Sequence, residues 1–132
     1  MGGITRETEN PVGQGLPGST IRYSAPELIE DKDASPTTHS DTYSFAMLVF
    51  ECITEDVPFS DLSRDAAVIH AKIHKRLRPP RPKDHVSKDL WDLMMLCWSD
   101  QPDQRPTMER VHEFFRGQLE GGGGKGGYNA IA

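Results

Sequence analysis

From Asp41 to Ile53 the chain runs Asp, Thr, Tyr, Ser, Phe, Ala, Met, Leu, Val, Phe, Glu, Cys, Ile, and it breaks at Pro58. Ser40 stands where it can cap the first turn, so the segment predicts an α-helix of about four turns. Its middle is apolar round the whole circumference, whereas a surface helix carries an apolar stripe of about 100° or slightly more and a polar back. Such a helix needs neighbours on every side.

Three further helices are legible. Arg64 to Leu77 places Ala67, Val68, Ala71 and Ile73 among charged positions, which predicts an amphipathic helix ended by Arg78-Pro79-Pro80. Ser87 caps a helix through Leu90, Trp91, Leu93, Met94, Met95, Leu96, Cys97 and Trp98, closed off before Pro102. Thr107 caps the last, in which Met108, Val111, Phe114, Phe115 and Leu119 recur three or four apart, with Glu109 near the positive end. No alternating strand of useful length competes, so the fold class is all-α, without a sheet. Residues 1–24 carry neither period and are punctuated by Gly2, Gly3, Pro11, Gly13, Gly15, Pro17 and Gly18, which predicts loop. Residues 25–120 form the helical body. Residues 121–132 open with Gly121 to Gly127, broken only by Lys125, and predict a disordered tail.

With 132 residues the chain is one small domain. Its 20 acidic against 15 basic residues, net −5, argue against bulk attraction to nucleic acid or to an anionic membrane. The longest apolar run, Phe45 to Phe50, is far below the roughly 20 residues that cross a bilayer. Cys52 and Cys97 both sit in apolar stretches and read as small buried hydrophobes rather than a disulfide framework. With no signal-like start, these features predict an intracellular, cytoplasmic protein.

Two glycine patterns match a phosphate-binding fingerprint by letter, Gly13-x-Gly15-x-x-Gly18 and Gly122-x-Gly124-x-x-Gly127. Neither has the strand before it that makes backbone N–H groups converge on an anion, and the first contains Pro17, which has no N–H. His70 and His74 share a helix face at the spacing of half a metal site, but Ala71 stands where a zinc hydrolase needs Glu, so they read as solvated histidines and no metal site is expected.

The informative pattern is long-range: Ala25-Pro26-Glu27, then His39-Ser40-Asp41-x-Tyr43-Ser44-Phe45, then Pro58-Phe59, then Cys97-Trp98, and finally Pro102-x-x-Arg105-Pro106-Thr107. In this order and spacing the sequence resembles the C-terminal lobe of eukaryotic protein kinases, over about residues 3–119. The resemblance implies that Glu27 is the acid of the family's Ala-Pro-Glu motif, paired with Arg105, and that Asp41 anchors the catalytic loop from the start of the central helix. Simple stabilisation of a helix N-terminus is the plainer role for Asp41. It implies that Ser19, Thr20, Ile21, Arg22 and Tyr23 belong to the segment that accepts the substrate residue after the phosphorylation site. Thr20 fits serine/threonine kinases, while Cys97-Trp98 to Thr107 also fits tyrosine kinases; the tyrosine-kinase-like serine/threonine group reconciles the two. Residues 1–24 would then be part of the activation segment, with Thr5, Thr8, Ser19 and Thr20 as candidate phosphorylation sites.

Members of the family use ATP and magnesium to phosphorylate proteins, which makes a protein substrate or a kinase the expected partner. The chain holds no His-Arg-Asp triplet and no lysine after a predicted strand, and Met1-Gly2 stands where the resemblance would put the magnesium-holding Asp-Phe before Gly3-Ile4-Thr5-Arg6. The expectation is a kinase-domain fragment with no catalytic, cofactor-binding or metal-binding residue of its own and no phosphotransfer alone. Its alternatives are a pseudokinase-like interaction module using Arg64–Leu77 and Gly18–Tyr23, or a truncated product without function whose central helix is left partly uncovered.

Overall fold

The computed structural model describes residues 18–123. In chain order the helices are α1 (Gly18–Ile21), α2 (Pro26–Glu30), α3 (Thr38–Thr54), α4 (Asp65–Ile69) running directly into a π turn (His70–His74), α5 (Lys88–Cys97), a 3-10 turn (Pro102–Gln104) and α6 (Met108–Gly123). The described residues form no strand, so the fold is all-α.

α3 starts earlier than its apolar run because Thr37, not Ser40, is the cap. The Ser40 amide donates to Thr37 Oγ1 at 3.0 Å, and the Thr37 amide donates back to Ser40 Oγ at 2.7 Å. This reciprocal pair satisfies two backbone donors that the helix leaves free at its start. The helix closes on Glu55 in the left-handed region at φ 62, its amide returning to the Glu51 carbonyl. Ser87 and Thr107 cap α5 and α6 by accepting the Leu90 and Arg110 amides.

Tyr43, Ala46, Met47 and Phe50 of α3 pack with Val68, Leu93, Met94, Trp98 and Val111 to form the core. Phe50 and Trp91 both meet Trp98 edge to face, at 6.2 and 5.6 Å between ring centroids. The opposite face of α3 is open among the described residues: Leu48 is 51% exposed and Cys52 is exposed. The all-round burial expected of this helix is therefore met on one side only. Cys52, read as a buried hydrophobe, lies on the open side, whereas Cys97 is buried.

Other departures are local. α1 is a single helical turn inside the stretch read as loop, and the five-residue α2 and the 3-10 turn at Pro102 are too short to show a period. The amphipathic helix from Arg64 to Leu77 is α4 plus a widened π turn that ends at His74. α6 continues to Gly123, so the first three residues of the glycine tract prolong a helix. The remainder of the tail, and residues 1–17 with Thr5, Thr8 and all of the first glycine pattern but Gly18, lie outside the described residues.

Candidate functional site

Glu27 lies on α2 and Arg105 just after the 3-10 turn, 78 positions later, yet their side chains meet as a two-pronged ion pair. Arg105 Nη1 donates to Glu27 Oε2 at 2.8 Å and Nη2 donates to Oε1 at 2.9 Å. The remaining donors reach the carbonyls of Ser99 (Nε, 2.9 Å) and His39 (Nη1, 3.1 Å). The Arg105 side chain is 0% exposed and that of Glu27 is 30% exposed. Burial by itself would raise the Glu27 carboxyl, but the Arg105 hydrogen bonds, its own backbone N–H and the Arg105 charge outweigh it, holding the group below its usual 4.5. One guanidinium thus ties α2, the start of α3 and the turn after α5 together.

The residues between Thr20 and Ser24 form a tight turn held from three sides. The Thr20 carbonyl accepts the Tyr23 and Ser24 amides and Ser24 Oγ. Ser44 Oγ, on α3, donates to the Tyr23 carbonyl at 2.9 Å. Lys72 Nζ, in the π turn, donates to the carbonyls of Ile21 (2.9 Å), Arg22 (3.2 Å) and Ser24 (2.5 Å). Every carbonyl from Thr20 to Ser24 therefore has a donor.

The side chains of the turn are anchored as well. Arg22 donates to the carbonyls of Pro58 (3.0 Å), Phe59 (2.7 Å) and Leu62 (2.7 Å), gripping the corner after α3. Phe59 sits there at φ 58, a costly conformation for a bulky residue. The Tyr23 hydroxyl donates to Glu51 Oε1, and burial, with Glu51 second, pushes its pKa up to about 12.

Lys72 was not singled out by the sequence, where it counted among the charged positions of an amphipathic helix. It is 0% exposed. Its ammonium lies 5.0 Å from the Tyr43 ring centroid and 5.9 Å from that of Phe59, within range of cation–π attraction. Burial and then the Arg78 charge push its pKa down to about 7. Its spacing was the available signal: Val68, Ala71 and Lys72 stand at i, i+3 and i+4, on one face.

Asp41 lies in the first turn of α3 and is exposed. It is not drawn into the Glu27–Arg105 cluster. Ser19 falls within α1. The His70 and His74 rings stand 5.1 Å apart and are exposed, and among the described residues no three His, Cys, Asp or Glu side chains come together as a metal site would need.

The sequence matches the model of the family described as protein tyrosine and serine/threonine kinase over residues 3–115. It is 37% identical over 102 residues to human proto-oncogene tyrosine-protein kinase ROS, covering 76% of this chain and 4% of that protein. It is 34% identical over 102 residues to a probable serine/threonine-protein kinase of Dictyostelium discoideum (77% and 6%) and 31% identical over 100 residues to human receptor-interacting serine/threonine-protein kinase 1 (75% and 15%). The chain thus spans a small part of each relative. Joined to the Glu27–Arg105 pair and the all-helical fold, the match shows that this chain belongs to the protein tyrosine and serine/threonine kinase family, as a fragment of its catalytic domain.

Proposed function

We propose that these 132 residues are the part of a kinase domain that receives a protein substrate, and that on their own they transfer no phosphate. One observation carries the reading: the turn from Thr20 to Ser24 has all five carbonyls occupied by donors of its own backbone, α3 and the π turn, so it stands preformed. A preformed segment meets its ligand without first losing the entropy of ordering. Ser19, Thr20, Ile21, Arg22 and Tyr23 then form the surface that meets the substrate residue beyond the one phosphorylated. Thr20 favours serine/threonine over tyrosine substrates. Asp41, exposed at the start of α3, is free to hold a catalytic loop when one is present.

Phosphoryl transfer needs a catalytic Asp, a metal-holding Asp and a lysine on the phosphates, and the sequence offers none of them in its family context. Thr5, Thr8, Ser19 and Thr20 are the proposed phosphorylation sites, and the setting is cytoplasmic, with protein partners rather than nucleic acid or membrane. No helix among the described residues is long and apolar enough to cross a bilayer. Two measurements test the reading. With radiolabelled ATP, magnesium and a generic protein substrate, the purified chain is expected to give no turnover above background; measurable turnover would refute the inactivity. Fluorescence anisotropy with a degenerate serine peptide and its tyrosine counterpart is expected to show binding that favours serine, and no binding of either peptide at millimolar concentration overturns the docking role.

A second reading, an interaction module, draws on the open face of α3. There Phe45, Leu48, Val49, Ile53 and Phe115 line an apolar groove of about 430 Å³. A pull-down that recovers no kinase, and no partner dependent on the α4 region or this groove, counts against it.

A further inference from the structure

Lys72 is a fully buried cation with no carboxylate within ion-pair distance among the described residues, yet its three donors all end on one short stretch of backbone 48 to 51 positions earlier. Burying an ammonium is costly unless its protons are satisfied, and a lysine kept solely to fill space would serve better as a methionine. Here the three carbonyls and two aromatic faces satisfy it. The same contacts leave the half-buried Arg22 and Ser24 carbonyls dependent on it, while the Ile21 carbonyl also accepts the Ser24 amide at 3.4 Å. We infer that Lys72 is the positioning residue of the substrate-facing segment: its ammonium imposes the shape of the Thr20–Ser24 turn and makes that turn and the π turn one unit.

The local geometry explains why a single lysine can do this. α4 runs into a π turn of five residues, a widened form that occurs frequently at functional sites. Ala71 beside it is buried and small. Lys72 reaches with three separately aimed donors where an arginine would offer a planar fork. Ser44 supplies one bond to the same turn and Arg22 fixes only its own side chain to the Pro58–Leu62 corner, so neither replaces the three that Lys72 makes. A partner that moves the π turn must alter the segment, and the reverse holds by linkage.

This inference rests on the docking role proposed above for what the segment does, but the test addresses the turn itself in the full chain. Hydrogen exchange at the Tyr23 and Ser24 amides, both bonded to the Thr20 carbonyl, reports the turn, while the Trp98 and Val111 amides report the rest of the fold. In Lys72→Met the Tyr23 and Ser24 amides are expected to exchange at least tenfold faster, with Trp98 and Val111 changed less than about threefold; Lys72→Arg should recover part of the protection, and Ser44→Ala should cost less than Lys72→Met. Protection of Tyr23 and Ser24 within threefold of the natural chain, or lost in equal measure with Trp98 and Val111, overturns the proposal. Should Lys72→Met not fold, brief amine acetylation of the natural chain decides. Lys72 should then react at the opening rate of the Tyr23 and Ser24 amides, far more slowly than exposed Lys75, and labelling as fast as Lys75 overturns it. A chain that passes these tests yet binds no peptide refutes the docking role alone.

Discussion

Removing either partner of the Glu27–Arg105 pair should give unequal losses, and the inequality follows from exposure. Breaking a buried ion pair typically costs about 3 to 5 kcal/mol because the surviving charge is stranded. Glu27→Leu strands a guanidinium whose side chain is 0% exposed, and it should cost the upper end of that range. Arg105→Met strands a carboxylate that is 30% exposed and can turn to water, which lowers the penalty. It also deprives the Ser99 and His39 carbonyls of their donors, at about 1 kcal/mol each, bringing the total back to about 3 to 4 kcal/mol. The double variant leaves no charge behind. Apolar replacement of a whole buried pair is often neutral or better, so it should be less destabilised than Glu27→Leu alone, with a coupling of about 3 kcal/mol. Urea unfolding at pH 7 reads all four chains. With a slope of about 1 to 3 kcal/mol per molar, the Glu27→Leu midpoint should fall by roughly 2 M. Glu27→Gln, which keeps the shape and an acceptor, serves if the leucine variant is unfolded in water. Single-variant losses that simply add in the double variant, within about 0.5 kcal/mol, would refute the reasoning.

Three further outcomes are expected. Stability should hold to about pH 9 and fall above it: the contribution of Cys97, raised from 9.0 to about 12, is complete below 9 and lost above it, joined past 10 by Tyr23 and Tyr43. Urea midpoints measured from pH 6 to 10.5 check this, a steady decline from 7 to 9 contradicts it, and at the acid end the Glu27 contribution should fade below its unfolded value of 4.5. Tyr43→Phe should stabilise by about 1 kcal/mol, since the Tyr43 hydroxyl is buried without a hydrogen-bond partner among the described residues and such a group costs about 1 to 3 kcal/mol; a lower melting temperature in the variant would show that the hydroxyl has a partner. Glu55→Gly should raise stability by about 0.5 to 1 kcal/mol, because relief of a left-handed φ of 62, worth about 1 to 2 kcal/mol, outweighs the extra freedom glycine brings to the unfolded chain. Thermal melting measures it, and a loss of stability would show that Glu55 makes contacts that offset its strain.

Helices long enough to repeat a period were legible in the sequence, and so were the α5 and α6 caps, because Ser87 and Thr107 each stand immediately before an apolar repeat. At α3 the same rule selected Ser40 over Thr37: both are hydroxyl residues, and only the three-residue interval between them marks a reciprocal box. The residues of the Glu27–Arg105 pair could be named because the motifs resemble those of the kinase family, but the Ser99 and His39 carbonyls that complete the arginine's shell carry no letter in a sequence. The face of α3 left open by the described residues was invisible for a different reason. Composition along a helix records which side chains are apolar, while burial depends on which neighbours arrive.

Lys72 shows where sequence reasoning stops and why. A charge on an amphipathic helix is ordinarily solvated, since an unpaired ammonium in the interior is penalised heavily. The penalty is offset here by backbone carbonyls, which every residue type supplies equally and which therefore leave no mark in composition. Tyr43 completes the arrangement, with the Lys72 ammonium 5.0 Å, the Arg105 guanidinium 5.1 Å and the Arg78 guanidinium 5.7 Å from its ring centroid. Three like charges around one ring repel, and the Arg78 charge indeed pushes the Lys72 pKa down. The electron-rich ring face between them and the oxygen acceptors beyond them counter that repulsion. Arg105 holds α2 through Glu27, Lys72 holds the segment before α2 through its carbonyls, and both cations lie against one α3 side chain. The clamp on α2 and the clamp on the Thr20–Ser24 turn therefore share Tyr43 as a common support, and displacing that ring must loosen both at once.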